Sequence, residues 1–306
     1  MYLDNFKLPI EKEDKLIRER MIHNGGSHGY IDNLHPCGLF SDKRLYEINF
    51  DTITVFYGEN GSGKSTLLNL IANKLGLHRV APFNSSELFD SYTRECTYFL
   101  GYDDEGQKCR IPAGSSIITS DDVFDYMLAV RTNNQDIAGN MEEAREEWAG
   151  LKFGETVKFS GLEDYEKIRL QVLARRKSLT RRQFIKKTAG EEVKLGSNGE
   201  TAFEYFDSRL KNDTLYCLDE PENSLSPGLQ LALAELIAKM ARFCGCQFIL
   251  ATHSPFFLSL SGARIYDLDE TPVDIKNWWE LRNTKTYFDF FYKNRRFFMR
   301  EDPDGD

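Results

Sequence analysis

The segment that most constrains how this chain can fold is Gly58-Glu59-Asn60-Gly61-Ser62-Gly63-Lys64-Ser65-Thr66. It fits the pattern G-x-x-x-x-G-K-[ST], directly after an apolar, β-branched run and directly before a stretch of helix formers, which makes it a strand-to-helix turn. Glycines let backbone N–H groups wrap an anion with no Cβ in the way. The N-terminus of the following helix adds unpaired donors and partial positive charge. Lys64 supplies a full charge to the outer phosphates of a nucleotide, and the Ser65 hydroxyl is suited to Mg2+.

A second motif completes that chemistry. Tyr216-Cys217-Leu218-Asp219-Glu220 is an apolar strand ending in two acids. Asp219 is placed to hold Mg2+ beside the phosphate loop, and Glu220 to orient and polarise an attacking water. His253 follows the Phe248–Ala251 strand, where it can hydrogen-bond the terminal phosphate or that water; a structural histidine is the other reading.

Around these motifs the chain alternates strand and helix. Residues 45–57 read as paired strands, and Ser65–Leu75 as a buried helix apolar on more than one side. Residues 11–23 suit a short charged helix. Ile117 and Ile118 suggest a further strand, with Ser120 capping a helix from Asp121 to about Arg131. From Asn140 to about Lys187 the composition turns to Glu, Arg and Lys with helical apolar spacing, a helical insertion. Strand character returns at Leu215–Leu218, a helix starts at Ser226-Pro227, and strands recur at Phe248–Ala251 and Ile265–Leu268. The expectation is an α/β domain over 1–306, a mixed, mostly parallel sheet flanked by helices, with a helical insertion at about 121–195.

Composition narrows the class. The 306 residues have an ordinary balance of apolar and charged types and no stretch suited to crossing a membrane, so a cytoplasmic protein is expected. A net charge of −9 argues against a broad nucleic-acid-coating surface. The six cysteines are scattered and read as reduced thiols. Neither Cys244 with Cys246 nor His23 with His28 makes a convincing metal site.

Taken together, the motifs resemble the ABC ATPase superfamily. Gly58–Thr66 looks like its Walker A motif, Cys217–Pro221 like Walker B, Leu195–Glu200 like the signature, and Ala251–Pro255 like the His switch. The resemblance implies a P-loop ATPase head that binds ATP and Mg2+ and hydrolyses ATP between two head-to-tail copies. Ser197, Asn198 and Gly199 of one copy would reach the nucleotide of the other, Glu220 would be the catalytic carboxylate, and Asn223–Ser226 would form the D-loop. The run D-E-P-E-N-S-L-S-P followed by T-H-S-P looks like the non-transporter branch. That branch includes DNA-repair ATPases of the SMC and RecF kind and the defence ATPases of the overcoming-lysogenization-defect, Septu and retron systems. The chain lacks the coiled coil of a tether and has too few residues after Leu268 for a fused nuclease, so an effector such as a nuclease or reverse transcriptase would be a separate chain. The alternatives are the ATP-binding subunit of a membrane transporter and a stand-alone DNA-repair ATPase. No Q-loop glutamine is evident; Ser120, Asp121 and Asp122 hold the corresponding position.

Two segments remain. Arg175, Arg176, Lys177, Arg181, Arg182, Lys186 and Lys187 place seven positive charges within thirteen residues. They suit nucleic acid or a partner protein, or a solvated helix face balanced by the acids at Glu142–Glu147. Near the C-terminus, Trp278, Trp279 and the aromatics from Tyr287 to Phe298 are dense, and most are expected to pack against the sheet.

Overall fold

The computed structural model describes residues 1–24, 34–83, 85–103, 105–155, 164–176, 179–189 and 197–299. The chain divides into two compact units, Met1–Val123 with Ala202–Asp306, and Phe124–Thr201. The first unit begins with β1 (Leu3–Lys7), α1 (Glu11–Asn24), α2 (Leu39–Asp42), β2 (Glu47–Asn49) and β3 (Ile53–Tyr57). It continues through α3 (Lys64–Leu75), α4 (Glu87–Glu95), β4 (Thr97–Leu100) and β5 (Ser116–Thr119). Helix α5 (Ser120–Phe153) leads into the second unit, which adds α6 (Asp164–Arg175) and α7 (Arg181–Ala189), and α8 (Asn198–Arg209) leads back. Then follow β6 (Leu215–Asp219), α9 (Pro227–Phe243), β7 (Gln247–Ala251), α10 (Pro255–Leu258), β8 (Arg264–Asp267), β9 (Asp274–Ile275) and α11 (Arg282–Lys293).

The larger sheet has the order β5-β6-β7-β3-β8-β9 and is parallel except for β9. Every residue of β3 and β7 is buried, which explains why both read as unbroken apolar runs and not as alternating ones. Helix α3 packs on β5, β6 and β7, burying Leu67, Leu68, Leu70 and Ile71. The α/β class, the mostly parallel sheet and the flanking helices agree with the expectation. Crossovers between parallel strands leave their C-terminal ends free for loops, and the phosphate loop and the paired acids both sit there.

A smaller antiparallel sheet, β2-β1-β4, was not legible. Residues 45–57 are not one pair of strands. β2 alternates exposed and buried and joins β1, whereas β3 is fully buried and lies between β7 and β8. Buried Gln247 ties the sheets together: its side chain accepts from the Leu3 N–H at 2.9 Å and donates to the Leu3 carbonyl at 2.7 Å.

Helix α5 is capped by Thr119, not Ser120. The Asp122 carboxylate accepts from the Thr119 N–H at 2.7 Å, and the Thr119 hydroxyl accepts from the Asp122 N–H at 3.4 Å, a reciprocal capping box. The helix then runs unbroken to Phe153. In the second unit, Ala144, Trp148, Leu151, Ala174 and Phe184 form a small core, with the Trp148 and Phe184 rings 5.6 Å apart.

The C-terminal aromatics differ most from expectation. Trp278 is half-buried, but the aromatics of α11 and the turn after it are exposed.

Candidate functional site

The phosphate loop is built from the end of β3 outward. Gly63 has φ 103°, a left-handed conformation that favours glycine, and it turns the chain into α3. At Gly58 the reason is close approach: a Cβ would lie 2.5 Å from Ser62 Oγ and 3.0 Å from an Asp269 oxygen. Ser62 Oγ itself is buried with no hydrogen-bond partner among the described residues.

Lys64 is 4% exposed, and its ammonium lies within the loop. It donates to the Gly58 carbonyl at 2.8 Å and the Glu59 carbonyl at 3.2 Å, and sits 3.8 Å from Glu220 Oε1. The next residue makes the other crossing: Ser65 Oγ donates to Asp219 Oδ1 at 2.9 Å. The loop after β3 and the end of β6 thus meet through two side-chain pairs, 154 and 156 residues apart in sequence.

Burial is the main reason the Asp219 carboxyl is pushed up to about 6; the Ser65 hydrogen bond opposes the rise and the Glu220 charge adds to it. A carboxylate and a hydroxyl are the hard oxygen donors Mg2+ takes, so these two residues fit that ion. Among the described residues no group of three or more His, Cys, Asp or Glu could hold a metal by itself; water and phosphate oxygens are the other ligands Mg2+ takes beside one or two protein oxygens. Cys217, buried in β6 two residues before Asp219, has its thiol pushed up to about 12 by burial, which disfavours the thiolate.

Glu220 adopts φ 47°, a left-handed conformation unusual for a non-glycine residue. Its N–H donates to the Ala251 carbonyl of β7 at 2.8 Å, and its Oε2 accepts from the Asn223 amide at 2.9 Å. Such strain costs about 1–3 kcal/mol and persists only where the surroundings fix it, as they do here. His253 follows β7 and is partly exposed.

Four residues were missed. Glu222 is buried, and its Oε1 accepts from Thr252 Oγ1 at 2.6 Å and from the His253 N–H at 3.0 Å, while its Oε2 is buried with no partner among the described residues. Glu222 is the third acid of Asp219-Glu220-Pro221-Glu222, and the sequence alone gives a role only to the first two. Asp269, just after β8, accepts the Glu59 N–H on both carboxylate oxygens at 3.0 Å. Asn69 donates to the Ser65 carbonyl at 2.7 Å, and Arg79 in turn donates to Asn69 Oδ1. No local signal marks any of these, because each acts through a partner set by the fold. Of the Q-loop candidates, Asp122 is buried and committed to Thr119 and the Ala81 N–H.

Lys64, Ser65, Asp219 and Glu220 are brought together directly, with His253 held by Glu222 at the neighbouring strand end. Gly58, Glu59, Asn60, Gly61, Ser62 and Gly63 make the turn from β3 to α3, and Thr66 lies in the first turn of α3. Ser197, Asn198 and Gly199 belong to the second unit, where Ser197 starts α8 and its N–H donates to Glu200 Oε2 at 2.6 Å. Leu195, Gly196 and Lys177 lie outside the described residues. In the same unit Arg176, Arg181, Arg182, Lys186 and Lys187 are exposed, and Arg175 donates to the Gly154 carbonyl at 2.7 Å. A cavity of about 510 Å3 beside α7 is lined by Arg145, Lys152, Arg181, Trp148 and Phe153, among others.

Residues 163–259 match the family described as "AAA domain, putative AbiEii toxin, Type IV TA system". The resemblance to ABC-type P-loop ATPases is borne out over that segment, which contains Ser197–Glu200, Asp219, Glu220 and His253. Among solved structures, the chain is similar to an Smc head domain of Pyrococcus furiosus bound to the C-terminal domain of ScpA. The two share 13% identity, 81% of this chain and 95% of that one are covered, and the TM-score is 0.37. An SMC head domain from Thermotoga maritima shares 17% identity, with 76% and 92% covered and a TM-score of 0.32. A dimeric post-hydrolysis ATP-binding cassette bound to ADP and Pi shares 16% identity, with 76% and 90% covered and a TM-score of 0.35. No curated protein matches the chain. Among the described residues no helix is long and apolar enough to cross a membrane.

Proposed function

We propose that this chain binds and hydrolyses Mg·ATP and uses the cycle to pair and release two head-to-tail copies, switching a separate effector in a bacterial defence complex. The observation that carries the reading is the double crossing, Lys64 to Glu220 at 3.8 Å and Ser65 to Asp219 at 2.9 Å. It gathers a phosphate cation, a hard-oxygen metal site and a carboxylate at the end of one sheet.

In the reaction, loop amides and Lys64 hold the β- and γ-phosphates, and the lysine gives up its bonds to the Gly58 and Glu59 carbonyls to do so. Ser65 and Asp219 would hold Mg2+, which when bound neutralises charge on the phosphates. Glu220 accepts a hydrogen bond from the attacking water and orients it in line with the terminal phosphorus. Its contact with Asn223 ties that carboxylate to the Asn223–Ser226 segment. His253, held through its backbone by Glu222, donates to the terminal phosphate. Ser197, Asn198 and Gly199 of the second copy would close the site.

The defence role rests on the non-transporter run of acids and on a matched family described as a toxin of a toxin–antitoxin system. A cytoplasmic location agrees with it. A second reading, a DNA- or RNA-engaging ATPase of the repair type, is favoured by the exposed Arg181, Arg182, Lys186 and Lys187 on α7. It requires hydrolysis stimulated by nucleic acid with no other protein present.

The test is mass in solution with Mg·ATP for wild type, Glu220→Gln and Lys64→Ala. Glu220→Gln should retain ATP, hydrolyse it at least 100-fold more slowly and form a stable even-numbered assembly. Lys64→Ala should bind no nucleotide. An ATP-loaded Glu220→Gln protein whose mass is no greater than that of the nucleotide-free protein would sink the head-to-tail reading.

A further inference from the structure

Helix α11 carries an amphipathic pattern that none of the described residues covers. Thr284, Tyr287, Phe288 and Phe291 recur at i, i+3, i+4 and i+7 and so share one face. Thr284 is buried at the root, where the Asn283 N–H donates to the Tyr57 hydroxyl at 3.1 Å and Arg282 pairs with Glu59 at 3.1 Å. Beyond that anchor every residue from Lys285 to Lys293 is exposed. Phe290 and Tyr292 flank the stripe, and Phe297, Phe298 and Met299 extend it past the helix end. These side chains, with Tyr287, Phe288 and Phe291, are between 48% and 70% exposed.

At roughly 200 Å2 per aromatic side chain, this leaves about 1,000 Å2 of apolar surface open. The largest patch on a typical monomer is about 300–600 Å2. A stable interface needs about 800 Å2 from each partner, so this one segment supplies a whole half-interface.

We infer that α11 pairs with α11 of a second copy, face to face, independently of nucleotide. Self-pairing requires a surface complementary to itself, and the stripe meets that condition because it holds no charged residue. Lys285, Asp289 and Lys293 lie on the other side of the helix, so no like charges are buried. Ring edges and faces are both available, as the Phe288–Tyr292 stack at 5.7 Å and the edge-on Phe291–Phe298 pair at 5.7 Å show within one chain. Arg295 and Arg296 already lie over Tyr292 and Phe297, at 4.5 and 4.9 Å, so they rim the face. Residues 282–299 carry five basic and one acidic side chain, so the rims of two copies repel weakly. Salt should therefore strengthen self-pairing, whereas it would weaken docking onto an acidic partner. The root of α11 lies beside the phosphate loop, where Arg282 pairs with Glu59, and the aromatic stripe runs on from there.

The experiment is light scattering on the full chain without nucleotide or Mg2+, at low and high salt. Wild type should show twice the chain mass, more completely at high salt. The double variant Phe288→Lys/Phe291→Lys should show the single-chain mass at both and still melt cooperatively, because both residues are exposed. Phe291→Cys should give an intermolecular disulfide on mild oxidation that wild type does not. A wild type that is monomeric without nucleotide at both salts overturns the inference and leaves the face to a different protein. A double variant that keeps the twofold mass overturns it equally.

Discussion

Glu222 sits beneath His253: its Oε1 accepts the His253 N–H at 3.0 Å and lies 3.7 Å from the ring Nδ1. The same oxygen accepts from Thr252 Oγ1 at 2.6 Å, and Thr252 accepts the Ser254 N–H at 3.0 Å. Ser254 Oγ then donates to Gln230 on α9, which donates to the Leu225 carbonyl at 2.9 Å. One buried carboxylate therefore joins the end of β7 to the segment after Glu220.

Glu222→Ala should destabilise the fold by about 2 kcal/mol, since two donors lose their acceptor at about 1–3 kcal/mol each. The loss is partly offset because Glu222 Oε2 is itself buried without a partner among the described residues. His253→Ala, at a partly exposed site, should change stability by less than about 0.5 kcal/mol. Both should lower kcat about 10- to 100-fold, and the double variant should be no slower than the slower single one. Urea melts with steady-state hydrolysis rates check this; additive losses would mean that Glu222 acts apart from the histidine.

Asp219 gives a pH prediction for the metal-free protein. Its folded value of about 6 lies above the unfolded carboxylate value of 3.8, so burial disfavours the charged form. The contribution to stability is full below the unfolded value and is lost as pH rises through about 6. Asp219→Asn, which cannot ionise, should therefore be more stable than wild type at pH 8, by about 2 kcal/mol after allowance for partial exposure. At pH 4 the two should melt together. The same variant should lose Mg2+-dependent hydrolysis. Equal melts of wild type and variant at pH 8 would show that the carboxylate is better solvated than its burial implies.

Gly58 and Ser62 make a third case. A Cβ at residue 58 would meet Ser62 Oγ at 2.5 Å and Ser62 Cβ at 2.8 Å, and a short side chain on a tight turn cannot swing away. Gly58→Ala should weaken ATP binding at least 10-fold, and Ser62→Gly in the same chain should restore part of it. Binding titrations of both variants decide the matter. If the second change restores nothing, the defect comes from the backbone of residue 58 or from Asp269, 3.0 Å away.

What the sequence made legible was local chemistry with a fixed spacing. The phosphate loop, the Asp219-Glu220 strand end and the Ser226-Pro227 helix start each carry their signal within ten residues, and each stands where the pattern put it. Partners brought from far along the chain were not legible. β1 pairs Leu3 with Leu100 and Phe6 with Ile48, and no short window contains both sides of such a pair. Glu222 and Asp269 are ordinary acids until the fold places His253 and the Glu59 amide against them. Thr119 and Ser120 are equally good caps in sequence, and only the Asp122 contact separates them. The aromatics of α11 have the composition of a core helix, and composition does not say whether the covering surface belongs to the same chain.

Glu59 is held from two sides of unequal worth, which gives the last prediction. Its backbone N–H donates to both oxygens of Asp269 at 3.0 Å, a charge-assisted contact to a fixed amide. Its side chain pairs with Arg282 at 3.1 Å, but Arg282 is 80% and Glu59 57% exposed. Exposed pairs contribute about 0–1 kcal/mol and weaken with salt, so Arg282→Ala should leave ATP affinity within about twofold of wild type. Asp269→Ala removes the acceptor that holds the loop in shape before phosphate arrives. It should weaken ATP binding about 10-fold, with hydrolysis at saturating ATP reduced much less. Asp269→Asn keeps one oxygen acceptor and should fall between wild type and Asp269→Ala. Calorimetric titration of the three variants against ATP checks the order, and a larger loss from Arg282→Ala than from Asp269→Ala would reverse it.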